Sequence, residues 1–169
     1  METIEKQSDG IKSKIIKLAE TVPIYFYVPI AYLTLIGLFI PTFYLGEYLD
    51  FPETDYSKLG LPANIWYRYL IVVLLGPIVE TFVFQAMPYY FLNMFEFMKQ
   101  HVWITILLPA IVFGCLHDFS LQYVLSATMM GIVFQFTYHT RSKKGDPFLS
   151  TYLLHALLNG MSITMQLFL

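Results

Sequence analysis

The sequence predicts an all-α membrane protein, a polytopic bundle of about five transmembrane helices around a conical or clefted polar interior. Three observations carry that expectation. The 169-residue chain is 57% hydrophobic and only 13% charged, against about 45–50% and about 25% for an ordinary soluble domain. Its apolar residues gather in runs too long for core helices. Inside those runs the ionisable groups are few, and such groups are tolerated in lipid mainly where they face a polar interior.

Residues 1–21 are polar, carry Lys6, Lys12, Lys14 and Lys17, and contain "IKSKIIKLAE", the pattern of an amphipathic interfacial helix. No cleavable signal is expected, because the run that follows is too long for a signal core. Residues 22–169 form a single transmembrane domain. Its first span runs over about 22–45. A polar loop, 46–64, leads to a second span at about 65–95, which exceeds the ~30 Å hydrocarbon core and must tilt, kink or lie along the interface. Pro77 and Pro88 are its expected break points. The third span covers about 102–117, the fourth 121–138 and the fifth 148–169, with a basic loop, "HTRSKKGDP", at 139–147.

Five passes put the N-terminus, the loop near 96–101 and the loop 139–147 on one side. Those segments hold eight of the ten basic residues, leaving Lys58 and Arg68 for the other face. The positive-inside rule then sets the N-terminus in the cytoplasm and the C-terminus outside. No basic stripe interleaves with aromatics, so nucleic acid is not an expected partner. Cys115 is the sole cysteine; it forms no internal disulfide and reads as a small buried residue. Ala127 and Gly131 fit a small-xxx-small face and imply close helix approach. His101 and His139 fall in loops and receive no role.

The informative residues are those that should not be in oil. Glu80 lies mid-way along the second span, His117 ends the third, and His155 with Asn159 lies in the fifth. Phe113 and His117 are four apart, as are His155 and Asn159, so each pair shares a helix face. A lone intramembrane carboxylate also serves as a packing hydrogen bond, and a lone membrane histidine is more often a satisfied contact than a catalyst. The functional reading rests on the set. One acid, two imidazoles and an amide supply a base for water and donors for an oxyanion. Glu80, His117 and His155 would also serve as a two-His, one-carboxylate zinc site, a minority reading given that no HExxH helix is present. His117 presents a difficulty of depth. By this orientation it falls on the outer side, so either the third span stops short and "HDFSLQ" dips into the bundle, which is the favoured reading, or the topology differs from the one assigned.

In order along the chain, "ETFVFQ" at 80–85, "FGCLH" at 113–117 and "HALLN" at 155–159 resemble the three motifs of the CPBP family, the CAAX-processing and bacteriocin-processing membrane endopeptidases also called Abi proteins. The pattern there is EExxxR, FxxxH, then HxxxN or HxxxD, and the resemblance covers about residues 65–165. It implies peptide-bond hydrolysis inside the membrane. Glu80 and His117 would activate water, and His155 and Asn159 would steady the oxyanion. The expected partner is a peptide or protein substrate reached from the membrane, with or without a lipid modification. No cofactor is implied. The chain departs from the pattern at Thr81 and Gln85, where the family has the second glutamate and the arginine. The two positions are four apart, so a structural ion pair is replaced here by a neutral pair able to hydrogen-bond. The alternative is a non-catalytic immunity or partner-binding protein on the same scaffold. Oligomeric state is not legible.

Overall fold

The structure, a computed structural model, describes residues 19–52, 60 and 62–168, and every regular element among them is helical. Of the expected N-terminal segment, only 19–21 fall within the described residues. Helix α1 is Ile24–Tyr48, α2 is Ile65–Leu92, α3 is Glu96–Gln100, α4 is Val102–Cys115, α5 is Leu121–Ser142 and α6 is Pro147–Phe168.

Two of these helices, α1 and α2, are long and apolar enough to cross a membrane. Both turn large apolar side chains outward, among them Phe26, Ile30, Leu33 and Phe43 on α1 and Leu74, Val79 and Phe82 on α2. Helix α4 is apolar but has 14 residues, about 21 Å at 1.5 Å per residue. The 22-residue helices α5 and α6 are long enough to cross but far more polar. Their polar residues point inward: Gln135, Thr137, Thr140 and Arg141 on α5, and Ser150, Thr151 and His155 on α6, are all buried. A continuous stripe of Tyr27, Val28, Ala31 and Leu35 on α1 packs with Phe113, Phe134, Leu154 and Leu158 to form the centre.

The expected break points in α2 do not break it. Its backbone widens to π-helical geometry over Tyr69–Leu75 and again over Thr81–Ala86, each stretch ending two residues before a proline, Pro77 or Pro88. A proline ring clashes with the carbonyl four residues back and offers no N–H. Widening the helix by one residue per turn relieves the clash and lets the helix continue.

The basic loop expected at 139–147 is also corrected. Helix α5 continues to Ser142, and Arg141 is fully buried, donating from Nη1 to the Val22 carbonyl (2.6 Å) and from Nε to Asp146 Oδ1 (2.8 Å) and Ser150 Oγ (3.2 Å). These partners satisfy the charge in place, so the chain stays helical to Ser142 and turns over 143–145, where the φ of 87° at Gly145 suits glycine.

Close approach at Gly131 is realised. A Cβ there would meet the Ala110 Cα at 2.9 Å and its carbonyl oxygen at 3.1 Å, so α4 and α5 touch through backbone. Gly131→Ala is expected to force the two helices apart, at a cost of about 1–3 kcal/mol. Gly37→Ala, where nothing lies within 4 Å, is the matched control and should cost nothing. Denaturant unfolding in mixed micelles reads the difference.

Candidate active site

Glu80 sits where the first widened stretch of α2 has returned to α-helix, Gly76–Glu80. Gly76 lies one turn earlier on the same face, and a Cβ there would come within 3.5 Å of Glu80 Oε1. That is ordinary van der Waals contact; the tighter approach at this position is to the Ile71 carbonyl oxygen, 3.0 Å from the same Cβ. Helix α4 stops at Cys115, and the turn after it ends in Ser120, which caps α5 by accepting from the Tyr123 amide (3.1 Å). That short stop removes the difficulty of depth, because His117 Nε2 lies 3.9 Å from Glu80 Oε2. From α6, His155 Nε2 lies 3.5 Å from the same oxygen. Two helices, α2 and α6, and the turn after α4 thus bring one carboxylate and two imidazoles within reach of one another.

The ring orientations follow from hydrogen bonding. His117 Nδ1 lies 2.7 Å from the Phe113 carbonyl. A carbonyl only accepts, so Nδ1 carries the proton, and in the neutral ring Nε2 presents a lone pair towards Glu80. Phe113 also packs against the His117 ring (4.3 Å between centroids) and sets an edge towards His155 (6.1 Å). His155 is 3% exposed and stacks on Phe134 at 4.5 Å and 29°. Its Nδ1 is buried without a hydrogen-bond partner, which leaves the Nε2 edge as its working face.

Asn159, one turn further along α6, is held by its amide: Nδ2 donates to the Val72 carbonyl of α2 at 2.9 Å. A cavity of about 790 Å³ opens over Glu80, His117, His155 and Asn159, and Phe39 and Phe43 of α1 form part of its wall. Among the described residues, no set of three His, Cys, Asp or Glu side chains is arranged to hold a metal ion. Cys115, expected to be buried, is exposed at the last turn of α4, because the neighbouring faces of that helix carry the packing at Phe113 and Gly114.

The Thr81–Gln85 pair differs from expectation. Both side chains are buried (0% and 1% exposed), but Thr81 Oγ1 and Gln85 Oε1 have no partner, so the two do not bond to each other. The second widened stretch begins at Thr81, and the extra residue per turn swings position 85 off the i, i+4 alignment that a regular helix would give it.

Gly76, Val72 and Phe134 were not singled out from sequence. Gly76 had a signal, since it stands four residues before Glu80 in "GPIVE". Val72 contributes a backbone atom and Phe134 an aromatic face, and neither stands out within an apolar run.

A family model described as type II CAAX prenyl endopeptidase Rce1-like matches residues 62–161. No curated protein and no solved structure matches the chain.

Proposed function

The chain belongs to the type II CAAX prenyl endopeptidase Rce1-like family, a family of membrane-embedded proteases, and from that premise we propose that it hydrolyses a peptide bond with a water activated between Glu80 and His117. The observation that carries the reading is the pair of short separations from one carboxylate oxygen, 3.9 Å to His117 Nε2 and 3.5 Å to His155 Nε2. The first is too long for a direct hydrogen bond and short enough for both groups to reach one water. Since the lone pair of His117 Nε2 faces the carboxylate, that water would donate one proton to each group.

As the water oxygen attacks the scissile carbonyl carbon, its proton passes to Glu80. The oxyanion is received by N–H groups of His155 Nε2 and Asn159, whose amide keeps one hydrogen after bonding Val72. One such donor contributes about 2.7–4 kcal/mol in comparable sites. Collapse of the tetrahedral intermediate breaks the C–N bond, and Glu80 returns the proton to the leaving amine. The cavity is roofed in part by apolar side chains, Phe39 and Phe43 among them, which suits a peptide carrying an isoprenoid chain that enters from the bilayer. In this reading α1, α2, α4, α5 and α6 are five passes with the N-terminus cytoplasmic, and the side chains alone activate water.

The test is cleavage of a farnesylated CAAX peptide by purified protein in phospholipid vesicles. His117→Ala should lower kcat by about 10²–10⁴-fold, and activity should withstand a strong chelator. Undiminished cleavage by His117→Ala would end the water-activation reading. Chelator-sensitive activity, with metal found by elemental analysis, would replace it with the Glu80, His117, His155 zinc site.

A further inference from the structure

Asn159 donates to a carbonyl that a regular helix would not leave available. In the widened stretch Tyr69–Leu75, backbone bonds run five residues back, and the Gly76 N–H closes that register on the Ile71 carbonyl. The next bond of the same register would join the N–H of residue 77 to the Val72 carbonyl. Residue 77 is proline and has no N–H to give. The Val72 carbonyl is met instead from another helix, by Asn159 Nδ2 at 2.9 Å.

We propose that Pro77 is a positioning residue for the reaction: by withholding its N–H it leaves the Val72 carbonyl to Asn159, and so fixes which way the Asn159 carboxamide faces the cavity. The inference rests on the protease reading given above. Three features make the contact a seam rather than an isolated bond. Tyr69 and Thr164 hydroxyls meet at 2.7 Å on one side of it. Glu80 and His155 meet at 3.5 Å on the other. Gly160 brings α6 close enough that a Cβ there would touch Val73 Cγ1 at 3.5 Å. A carboxamide free to rotate presents either its oxygen or its nitrogen to a substrate. With Nδ2 committed to a carbonyl, which only accepts, one hydrogen of the same nitrogen is left at a set angle. Binding that nitrogen also ties the helix carrying Glu80 to the helix carrying His155, three residues beyond Pro77.

The inference predicts coupling between positions 77 and 159. Pro77→Ala restores an N–H that competes for the Val72 carbonyl. In micelles, Asn159→Ala should lower the melting temperature of the protein with Pro77 at least twice as much as that of the Pro77→Ala protein. Equal shifts in the two backgrounds would overturn the proposal. A measurement on the unaltered protein covers the case in which Pro77→Ala does not fold. The chain has three asparagines, Asn64, Asn93 and Asn159, so asparagine-selective ¹⁵N labelling resolves the Asn159 side-chain amide. One slowly exchanging and one rapidly exchanging hydrogen are expected, and two rapidly exchanging hydrogens would refute the bond. On the farnesylated peptide, Pro77→Ala should lower kcat by about 10–100-fold, the scale of a misplaced catalytic group, with KM unchanged. A change confined to KM would overturn the positioning role. Absence of cleavage by the wild type would instead sink the protease reading, leaving the melting and exchange results to judge the hydrogen bond.

Discussion

Glu80→Gln protein is expected to fold and insert like the wild type but to cleave a farnesylated peptide with kcat lower by about 10²–10⁴-fold, the contribution of a positioned general base. The substitution keeps the shape and most of the packing of the side chain. It takes away the carboxylate that, in the proposed mechanism, accepts the proton of the water and hands it to the leaving amine. Structural damage should be small, because the amide can still donate to the His117 Nε2 lone pair, 3.9 Å away in the wild type, or accept from His155 Nε2 at 3.5 Å. An unchanged circular-dichroism melt together with lost cleavage is therefore the expected pair of results. Cells add a second readout, proteomics of C-terminal fragments with wild-type against Glu80→Gln protein. If the fragments and the biological effect are the same for both proteins, the chain works as a partner-binding or immunity factor and Glu80 is a packing residue.

The four site residues were legible because lipid makes ionisable groups conspicuous. Glu80 stands in a run of otherwise apolar residues, and burying a charge without purpose is costly. The helices were legible from the same contrast, and each of the five segments expected as spans starts and ends within four residues of an observed helix. What could not be read depends on distant partners. Pro77 announces a missing N–H, but not that the helix widens instead of breaking, nor that the Val72 carbonyl is met by a donor 87 residues away at Asn159. Thr81 and Gln85 suggested a hydrogen-bonded pair by spacing alone; the widened backbone that starts at Thr81 cancels that spacing. The stop of α4 before His117 was the favoured of two readings, the other being a different topology, and it was expected from the depth His117 must reach and not from a stop signal in the residues themselves. Arg141 looked like part of a solvated basic loop with Lys143 and Lys144, which are exposed in a turn, since nothing local distinguishes a cation that meets water from one that meets a segment about 120 positions earlier.

Arg141 carries the largest expected loss of stability. Its guanidinium is fully buried and forked on the carboxylate of Asp146, while Nη1 reaches the Val22 carbonyl at 2.6 Å and the carbon of the fork lies 5.0 Å from the centre of the Tyr27 ring. Tyr27 continues the cluster, its hydroxyl lying 3.3 Å from Thr137 Oγ1 and 3.2 Å from Thr140 Oγ1. The arginine therefore joins the start of α1 to the turn between α5 and α6. Arg141→Ala strands Asp146 and leaves the Val22 carbonyl with Lys144 Nζ, at 2.9 Å, as its remaining donor, and removal of one partner of a buried pair typically costs about 3–5 kcal/mol. Arg141→Met with Asp146→Leu should recover part of that loss, since it removes both charges and fills the volume. The recovery should be incomplete, because Ser150 Oγ still loses the arginine donor and the Val22 carbonyl loses one of its two. Lys143, which pairs with Glu20 at 2.8 Å but is largely exposed, is the internal comparison: Lys143→Ala should cost about 0–1 kcal/mol. Denaturant unfolding of the four proteins in one micelle composition gives the ranking. A loss for Arg141→Ala no greater than that for Lys143→Ala would mean that the start of α1 is held without the arginine. Cleavage should fall along with stability in the Arg141 variants, because the same clamp sets the position of α1, and with it Phe39 and Phe43 on the wall of the cavity.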